Sequence, residues 1–455
     1  MNPRGGAAEG RGTAVVIGGG LAGCLAAWAL HGVAERIVVV ERDRYPDGVG
    51  FRAGVPQARH CHLLLEAGRR TLDELMPGIV GELVADGANR ILLGGVSWLT
   101  AEGWLARHQS DLAVLICSRP LIDHAVLKRV RALPNVEFRT ATEVTGLLGD
   151  GGTVTGVRLV GRGTGNQGTD GRGTDGEPET EIAAELVVDA SGRRTRAPEW
   201  LAALGVPAVP EERVDAGISY ATRFYRRPAG TPDDLAYYLQ CKAPERGRLG
   251  LLMPIEGNRW MVGLGGMRGF EPSVKEEEFE EQLGGLRHPG VAEAIVGAEP
   301  IGPIRGFAPG PSVWRHYERS ALRGFLAIGD SSCAFNPVYG QGMSVASFSA
   351  RALRDAARKH EGIGEAVVRE TRQAVSAAAK GSWELAAGED VRFPATVGGP
   401  AGLPVRLQHR LMDRVLARAA TDGKVADAFL RVASLVAPPT LMFRPSVLGR
   451  VLFGR

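Results

Sequence analysis

Apolar positions along the chain change period several times, and each change predicts a different element. Val15 to Ile17 form a wholly apolar run, read as a strand covered on both faces. Gly18, Gly20 and Gly23 follow, and Leu21 to Leu30 reads as a helix. RIVVVE then gives a second buried strand ending on Glu41, which completes a βαβ unit. Residues 43–60 form a loop crowded with glycine, proline and charge. A helix is expected from about Leu63 to Leu75, with short strands over 90–95, 96–100 and 112–117. Pro120 opens another helix through Val130, and 135–140 is a strand.

Strands VTGVRLV and EIAAELVVDA bracket residues 161–180, which hold no apolar anchor and read as a flexible hairpin tip without a functional role. From Gly217 the period becomes two. GISYATRFYRR, AYYLQCK, GLLMPI and RWMVGLGGMR read as an antiparallel sheet with one covered face. The glutamate-rich segment 274–285 reads as a solvated helix, FLAIGD (325–330) as a strand, and 361–455 as helices broken at Pro394, Pro400, Pro404 and Pro438–Pro439.

Composition narrows the class. The 455 residues are 44% apolar and 23% charged, as in a soluble globular protein. A net charge of +3 gives no ground for a nucleic-acid partner. No apolar run reaches the length of a membrane span, and the polar, glycine-rich residues 1–12 read as a disordered tail, not a signal peptide. The five cysteines are scattered without a CxxC pair, which fits a reducing cytoplasm and no zinc site.

GGGLAG at 18–23 fits GxGxxG between a strand and a helix. Gly18 permits the tight turn, Gly20 lets a pyrophosphate approach the backbone, and Gly23 lets helix and strand pack closely. The helix N-terminus offers free N–H groups to phosphate, and Glu41 stands where an acid accepts ribose hydroxyls. Taken alone, the motif could be a glycine-rich turn of an ordinary α/β domain. Two further sites separate a larger dinucleotide from NAD. One is LVVDASGRRTR, 186–196. The other is FLAIGD, where Asp330 can accept hydrogen bonds from a polyol, the loop to Gly340–Gly342 brings bare backbone near a flat ring, and the helix from Met343 aims its positive end there. These groups suit FAD.

Three motifs, GGGLAG with Glu41, DASGRRTR, and GDSSCAFNPVYGQGMSVA, together resemble the FAD-dependent monooxygenases of the p-hydroxybenzoate hydroxylase type over residues 13 to 350. The resemblance implies an α/β fold, a Rossmann-like FAD-binding domain interleaved with an antiparallel-sheet substrate domain, plus C-terminal helices. The expected FAD-binding domain covers 13–85, 112–210 and 300–360, and the substrate domain 86–111 and 211–299. Arg119 in SRPLIDHAVL matches an arginine that contacts FAD in that family. The expected cofactor-binding set is Gly18, Gly20, Gly23, Glu41, Arg42, Gln57, Arg119, Val144, Asp189, Asp330, Pro337, Gly340, Gly342 and Met343. Two stretches, 54–68 and 253–266, are similar to bacterial polyether-type polyene epoxidases, relatives of squalene epoxidase. Ala190 and Ser191 intervene between Asp189 and Gly192, where many aromatic hydroxylases have Asp-Gly. A second GxGxxG for a separate NADPH domain is missing, as is the WxWxIP signature of flavin halogenases.

The chemistry so implied uses NAD(P)H, or a partner flavin reductase, to reduce the flavin. Reduced flavin takes up dioxygen as a C4a-hydroperoxide, whose distal oxygen passes to the substrate. Ionising a phenol requires a base, whereas epoxidising an alkene requires an apolar cavity. The catalytic candidates are His60 and His62, as hydrogen-bonding groups or a proton shuttle; no third ligand accompanies them for a metal. Tyr220, Phe224, Tyr238, Met253 and Trp260 are the expected substrate lining. Leu403, Leu407, Leu411, Val415 and Ala419 form an apolar stripe beside Arg406, Arg410, Arg414 and Arg418, which is either a packed surface helix or a peripheral membrane contact. The expected reaction is epoxidation of an alkene in a polyketide or isoprenoid intermediate of secondary metabolism. The alternatives are hydroxylation of an aromatic or polyketide ring, and reduction of isoprenoid double bonds.

Overall fold

The computed structural model describes residues 11–162 and 178–454. The first ten residues of the expected tail and most of the 161–180 insert therefore lie outside the described residues.

A five-stranded parallel sheet runs in the order Phe325–Ala327, Leu186–Asp189, Thr13–Ile17, Arg36–Glu41, Val136–Thr140. Its unbroken apolar runs follow from burial on both faces. Ala14, Val16, Ile37 and Val39 pack under the helices Leu21–Leu30, Arg119–Arg131 and Gly342–Lys359. Val15, Ile17, Val38 and Val40 pack against a three-stranded antiparallel sheet of Thr142–Asp150, Thr153–Gly161 and Thr180–Ala183. The EIAAELVVDA run is thus two strands in two sheets, broken at Ala184 and Glu185. The parallel strands all end on the same side, at Ile17, Glu41, Asp189 and Ala327, where open α/β sheets take their ligands.

A seven-stranded sheet forms the second body, in the order Pro300–Phe307, Ser219–Arg226, Arg259–Gly266, Arg248–Ile255, Tyr237–Leu239, Ser97–Thr100, Gly103–Trp104. Its pairs are antiparallel except Tyr237–Leu239 with Ser97–Thr100. The helix Glu276–Gly284 covers one face through the fully buried Phe279 and Leu283, with its glutamates outward. Pro300–Phe307 pairs with Ser219–Arg226, so the domain border expected at 300 falls inside this sheet and is corrected to a position after Phe307.

The helix expected from Leu63 starts at Glu66, because Leu63 and Leu64 pair as a short strand with Ile116 and Leu115. Helices Glu365–Asp390, Leu403–Ala419, Gly423–Ala433 and Pro445–Phe453 complete the chain. Among the described residues no helix is long and apolar enough to cross a membrane.

Candidate functional site

A cavity of about 880 Å³ runs from the ends of the parallel strands, under the open face of the seven-stranded sheet, to the C-terminal helices. Three turns meet at its first end. In the turn after Ile17, Gly18 has φ +93°, and a Cβ there would lie 2.7 Å from the Ala190 carbonyl. A Cβ on Gly23 would lie 1.8 Å from the Gly18 carbonyl, so helix Leu21–Leu30 crosses its strand at a distance only glycine allows. No side chain caps that helix, and Gly20, Leu21 and Ala22 line the cavity. Glu41 is buried and accepts the Gly19 N–H at 2.8 Å.

Asp189 stands behind the second turn. It is fully buried and accepts hydrogen bonds from Ser191 N at 2.9 Å and from Ser331 Oγ at 3.2 Å, and one from Thr195 Oγ1. Its expected place at the cofactor is corrected: it ties two turns together from behind, while Ser191, Gly192 and Arg193 line the cavity. The longer Asp-Ala-Ser-Gly turn folds the carboxylate back onto its own loop.

The third turn carries Asp330, which lines the cavity, and the loop Asn336–Gln341. Asn336 Oδ1 accepts the Val338 N–H at 3.1 Å, and Gly340 adopts φ +68°. Helix Gly342–Lys359 begins here without a side-chain cap, and the buried Gln341 Oε1 has no partner. Arg42, Gln57, Arg119, Val144, Pro337, Gly340, Gly342 and Met343 also line the cavity. Two uncapped helix N-termini, bare glycine backbone and an unpartnered amide oxygen around one elongated cavity suit a dinucleotide joined to a flat, hydrogen-bonding ring. The residues present fit FAD.

His60 and His62 both reach the cavity wall. His60 bonds Thr222 Oγ1 at 2.9 Å through Nδ1 and stacks on Phe307. His62 Nδ1 donates to the His60 carbonyl at 2.8 Å. Burial, with the nearby Arg59 charge, lowers the His60 pKa to about 4. Burial, with the Arg119 charge, lowers that of His62 to about 3. Both rings are therefore neutral near pH 7.

Tyr220, Tyr238 and Met253 line the cavity. Trp260 does not. It is 1% exposed and packs with Phe279 and Leu283 on the opposite face of the sheet, as strand alternation requires. Phe224 shares the face of Tyr220 and Thr222 but lies past the cavity edge, against the ring of Phe51. The far wall is built by Leu385, Met412, Leu416 and Phe429 of the C-terminal helices, with Phe393 from the turn after Asp390. The apolar run 425–437, which holds Phe429, reads in the sequence as a segment able to cap a cavity, whereas Leu385, Phe393 and Met412 carry no such signal. Position 416 is adjacent to the stripe that was read as surface or membrane-facing, so the period was visible but not its partner.

The tyrosine hydroxyls are engaged with the protein. Tyr238 Oη donates to the Val338 carbonyl at 3.2 Å and Tyr220 Oη to Asn336 Oδ1 at 3.4 Å. Tyr339 Oη donates to Asp390 Oδ1 at 2.8 Å. At these three tyrosines the cavity meets ring carbons, with the hydroxyls taken up by protein acceptors.

This architecture defines an FAD-binding α/β oxidoreductase fold. The chain belongs to the family described as FAD binding domain, which matches residues 11–356. It is 32% identical to Protein Rv3254 of Mycobacterium tuberculosis, over 96% of this chain and 93% of that one. Among solved structures it is similar to the flavin-dependent brominase Bmp2 (TM-score 0.65, 15% identity, 92% of each chain). It is also similar to p-nitrophenol 4-monooxygenase PnpA from Pseudomonas putida DLL-E4 (TM-score 0.62, 18% identity, 93% of this chain and 98% of that one). At such identities the two structures share the fold.

Proposed function

We propose that this protein is an FAD-dependent monooxygenase that transfers one oxygen atom of dioxygen to a bulky, mainly apolar substrate, with alkene epoxidation as its reaction. The observation that carries this reading is the wall facing the cofactor end. Trp98, Leu251, Met253, Met412, Leu416 and Phe429 line it, the hydroxyls of Tyr220, Tyr238 and Tyr339 are bonded to the protein, and the two histidines are too weakly basic to hold a proton near pH 7. Epoxidation needs no base, and an apolar wall excludes water from the reacting atoms.

In this reading the turn at Gly18–Gly20 and the N-terminus of helix Leu21–Leu30 take the pyrophosphate, Asp330 the ribityl hydroxyls, and loop 336–342 the ring. FAD, once reduced by NAD(P)H or a partner reductase, supplies the activated oxygen. His62, with its Nδ1 proton held by the His60 carbonyl, offers Nε2 as an acceptor, and His60 fixes the sheet edge through Thr222.

One observation favours ring hydroxylation as a second reading. Asp390, pushed up to about 6 chiefly by burial, bonds the cavity-lining Tyr339 and forms a route by which a phenol proton could leave. Oxygen uptake and peroxide release by the reduced protein separate the readings. An apolar alkene is expected to suppress peroxide release while oxygen uptake continues. If only phenols suppress it, the ring hydroxylase reading replaces the first. If neither does and an alkene substrate is saturated, the protein is a reductase.

We also propose that the helix Leu403–Ala419 rests on an anionic lipid surface. Leu403 and Leu407 are 60% and 53% exposed beside the exposed Arg406, Arg410 and Arg414, while Met412 and Leu416 of the same helix line the cavity.

A further inference from the structure

Helix Glu365–Asp390 ends inside the molecule, and its last residue touches the loop that faces the cofactor end of the cavity. Asp390 is 1% exposed. Its Oδ1 accepts two hydrogen bonds from that loop, from Asn336 Nδ2 at 2.8 Å and from Tyr339 Oη at 2.8 Å. The other end of the Asn336 amide accepts the Val338 N–H at 3.1 Å and Tyr220 Oη at 3.4 Å. Thr396 Oγ1 donates to the Asp390 carbonyl at 2.7 Å, which fixes the helix end itself. One carboxylate oxygen therefore sets the rotation of Asn336 and the placement of Tyr339. Those two residues bracket the turn Pro337–Tyr339, and the turn delivers Gly340 and the uncapped start of helix Gly342–Lys359.

We infer that Asp390 is a positioning residue for the cofactor-facing loop 336–342, so that the C-terminal helices complete the FAD site as well as walling the substrate. The family match ends at residue 356, which leaves Asp390 outside it. Before Gly342, loop 336–342 has only a single 3-10 turn, Pro337–Tyr339, and a glycine at positive φ. Its backbone donors are held in place by side-chain bonds, and Asp390 is the group on which two of those bonds converge. Removing the carboxylate strands the Asn336 amide and the Tyr339 hydroxyl in a buried site, and the loop relaxes to find them partners. The inference rests on the reading that this loop faces the flavin ring.

The test compares Asp390→Ala, Asp390→Asn and Tyr339→Phe in the full chain. It reads the FAD dissociation constant by quenching of flavin fluorescence, and the position of the bound flavin's visible absorption band. Asp390→Ala is expected to weaken FAD about tenfold or more and to shift the band. Asp390→Asn keeps an amide oxygen that accepts both bonds, and is expected to stay within about threefold of the native protein. Tyr339→Phe removes one bond of the two and is expected to fall between them, which keeps the test decisive if Asp390→Ala does not fold. The inference is overturned if Asp390→Ala binds FAD as tightly as the native chain with an unshifted band. It is also overturned if Asp390→Asn binds FAD normally but loses the pH-dependent limb of turnover, since the carboxylate would then be a proton acceptor. A native chain that binds no FAD would instead remove the reading on which the inference rests.

Discussion

Arg52 places Nη1 2.7 Å from Glu41 Oε2, and both side chains are 8% exposed. The same arginine donates from Nη2 to the Gly19 carbonyl at 3.1 Å, and its guanidinium lies over the Tyr45 ring. Glu41 accepts the Gly19 and Asp43 N–H groups as well. A buried ion pair therefore grips both sides of the glycine turn. Removing Arg52 leaves Glu41 a buried charge with no counter-charge and only the two backbone N–H groups to offset it, which costs more than the pair contributes. Arg52→Ala is expected to lower stability by about 3–5 kcal/mol, read as a fall in the urea midpoint of the holoprotein, and to weaken FAD in parallel. A midpoint within error of the native value would show that the pair holds nothing in place.

The two cavity histidines predict an acid-sensitive fold. An unfolded imidazole titrates near 6.5, but burial holds His60 near 4 and His62 near 3. The unfolded chain thus binds more protons below pH 6.5, and stability present above that pH is lost as pH falls toward 4. Asp390 works in the opposite sense. Its pKa is raised to about 6, so its contribution is present at low pH and lost as pH rises through 6. His62→Gln is expected to flatten the fall of melting temperature between pH 6.5 and 4. Superimposable profiles for the native and variant chains would contradict the burial argument.

Glycine contacts give a graded prediction. A Cβ on Gly23 meets the Gly18 carbonyl at 1.8 Å, and Gly340 combines φ +68° with a Cβ position 3.2 Å from Leu63 Cδ1. Nothing lies within 4 Å of a Cβ on Gly48, in the neighbouring loop. Gly23→Ala is expected to abolish FAD retention, Gly340→Ala to cost about 1–2 kcal/mol through left-handed backbone strain, and Gly48→Ala to leave both FAD content and melting temperature unchanged. FAD content after purification and differential scanning fluorimetry check all three.

Much of this fold was legible because each buried strand of the parallel sheet is a short local signal. Val15–Ile17 with its glycines, RIVVVE to Glu41, and FLAIGD each announce a strand and its terminal chemistry within a few residues. Alternation in 217–266 marked the second sheet, and it also put Tyr220 and Met253 toward the cavity. It did not reveal where the cavity stops, so Phe224 was included, nor which face Trp260 takes, since both faces of that strand are buried. Asp189 misled because a strand-end acid signals a ligand only when its turn is short, and Ser191, Thr195 and Ser331 absorb its carboxylate. Asp390 left no signal at all. Its partners, Asn336 and Tyr339, are more than fifty residues away in sequence, and one aspartate at the end of a long helix reads as solvated.

The lipid proposal predicts that the protein floats with vesicles containing phosphatidylglycerol and stays at the bottom with phosphatidylcholine alone. Leu403→Asp with Leu407→Asp is expected to abolish flotation without changing FAD content, because neither residue lines the cavity. Flotation unaffected by the double substitution would move the contact elsewhere.

The most direct measurement is turnover of an apolar alkene panel by the FAD-loaded, chemically reduced protein under heavy-isotope dioxygen, followed by mass spectrometry of the products. The account predicts a product one oxygen atom heavier than its substrate, with that atom carrying the isotope from the gas. Products that are saturated or halogenated, or whose added oxygen comes from water, would contradict it.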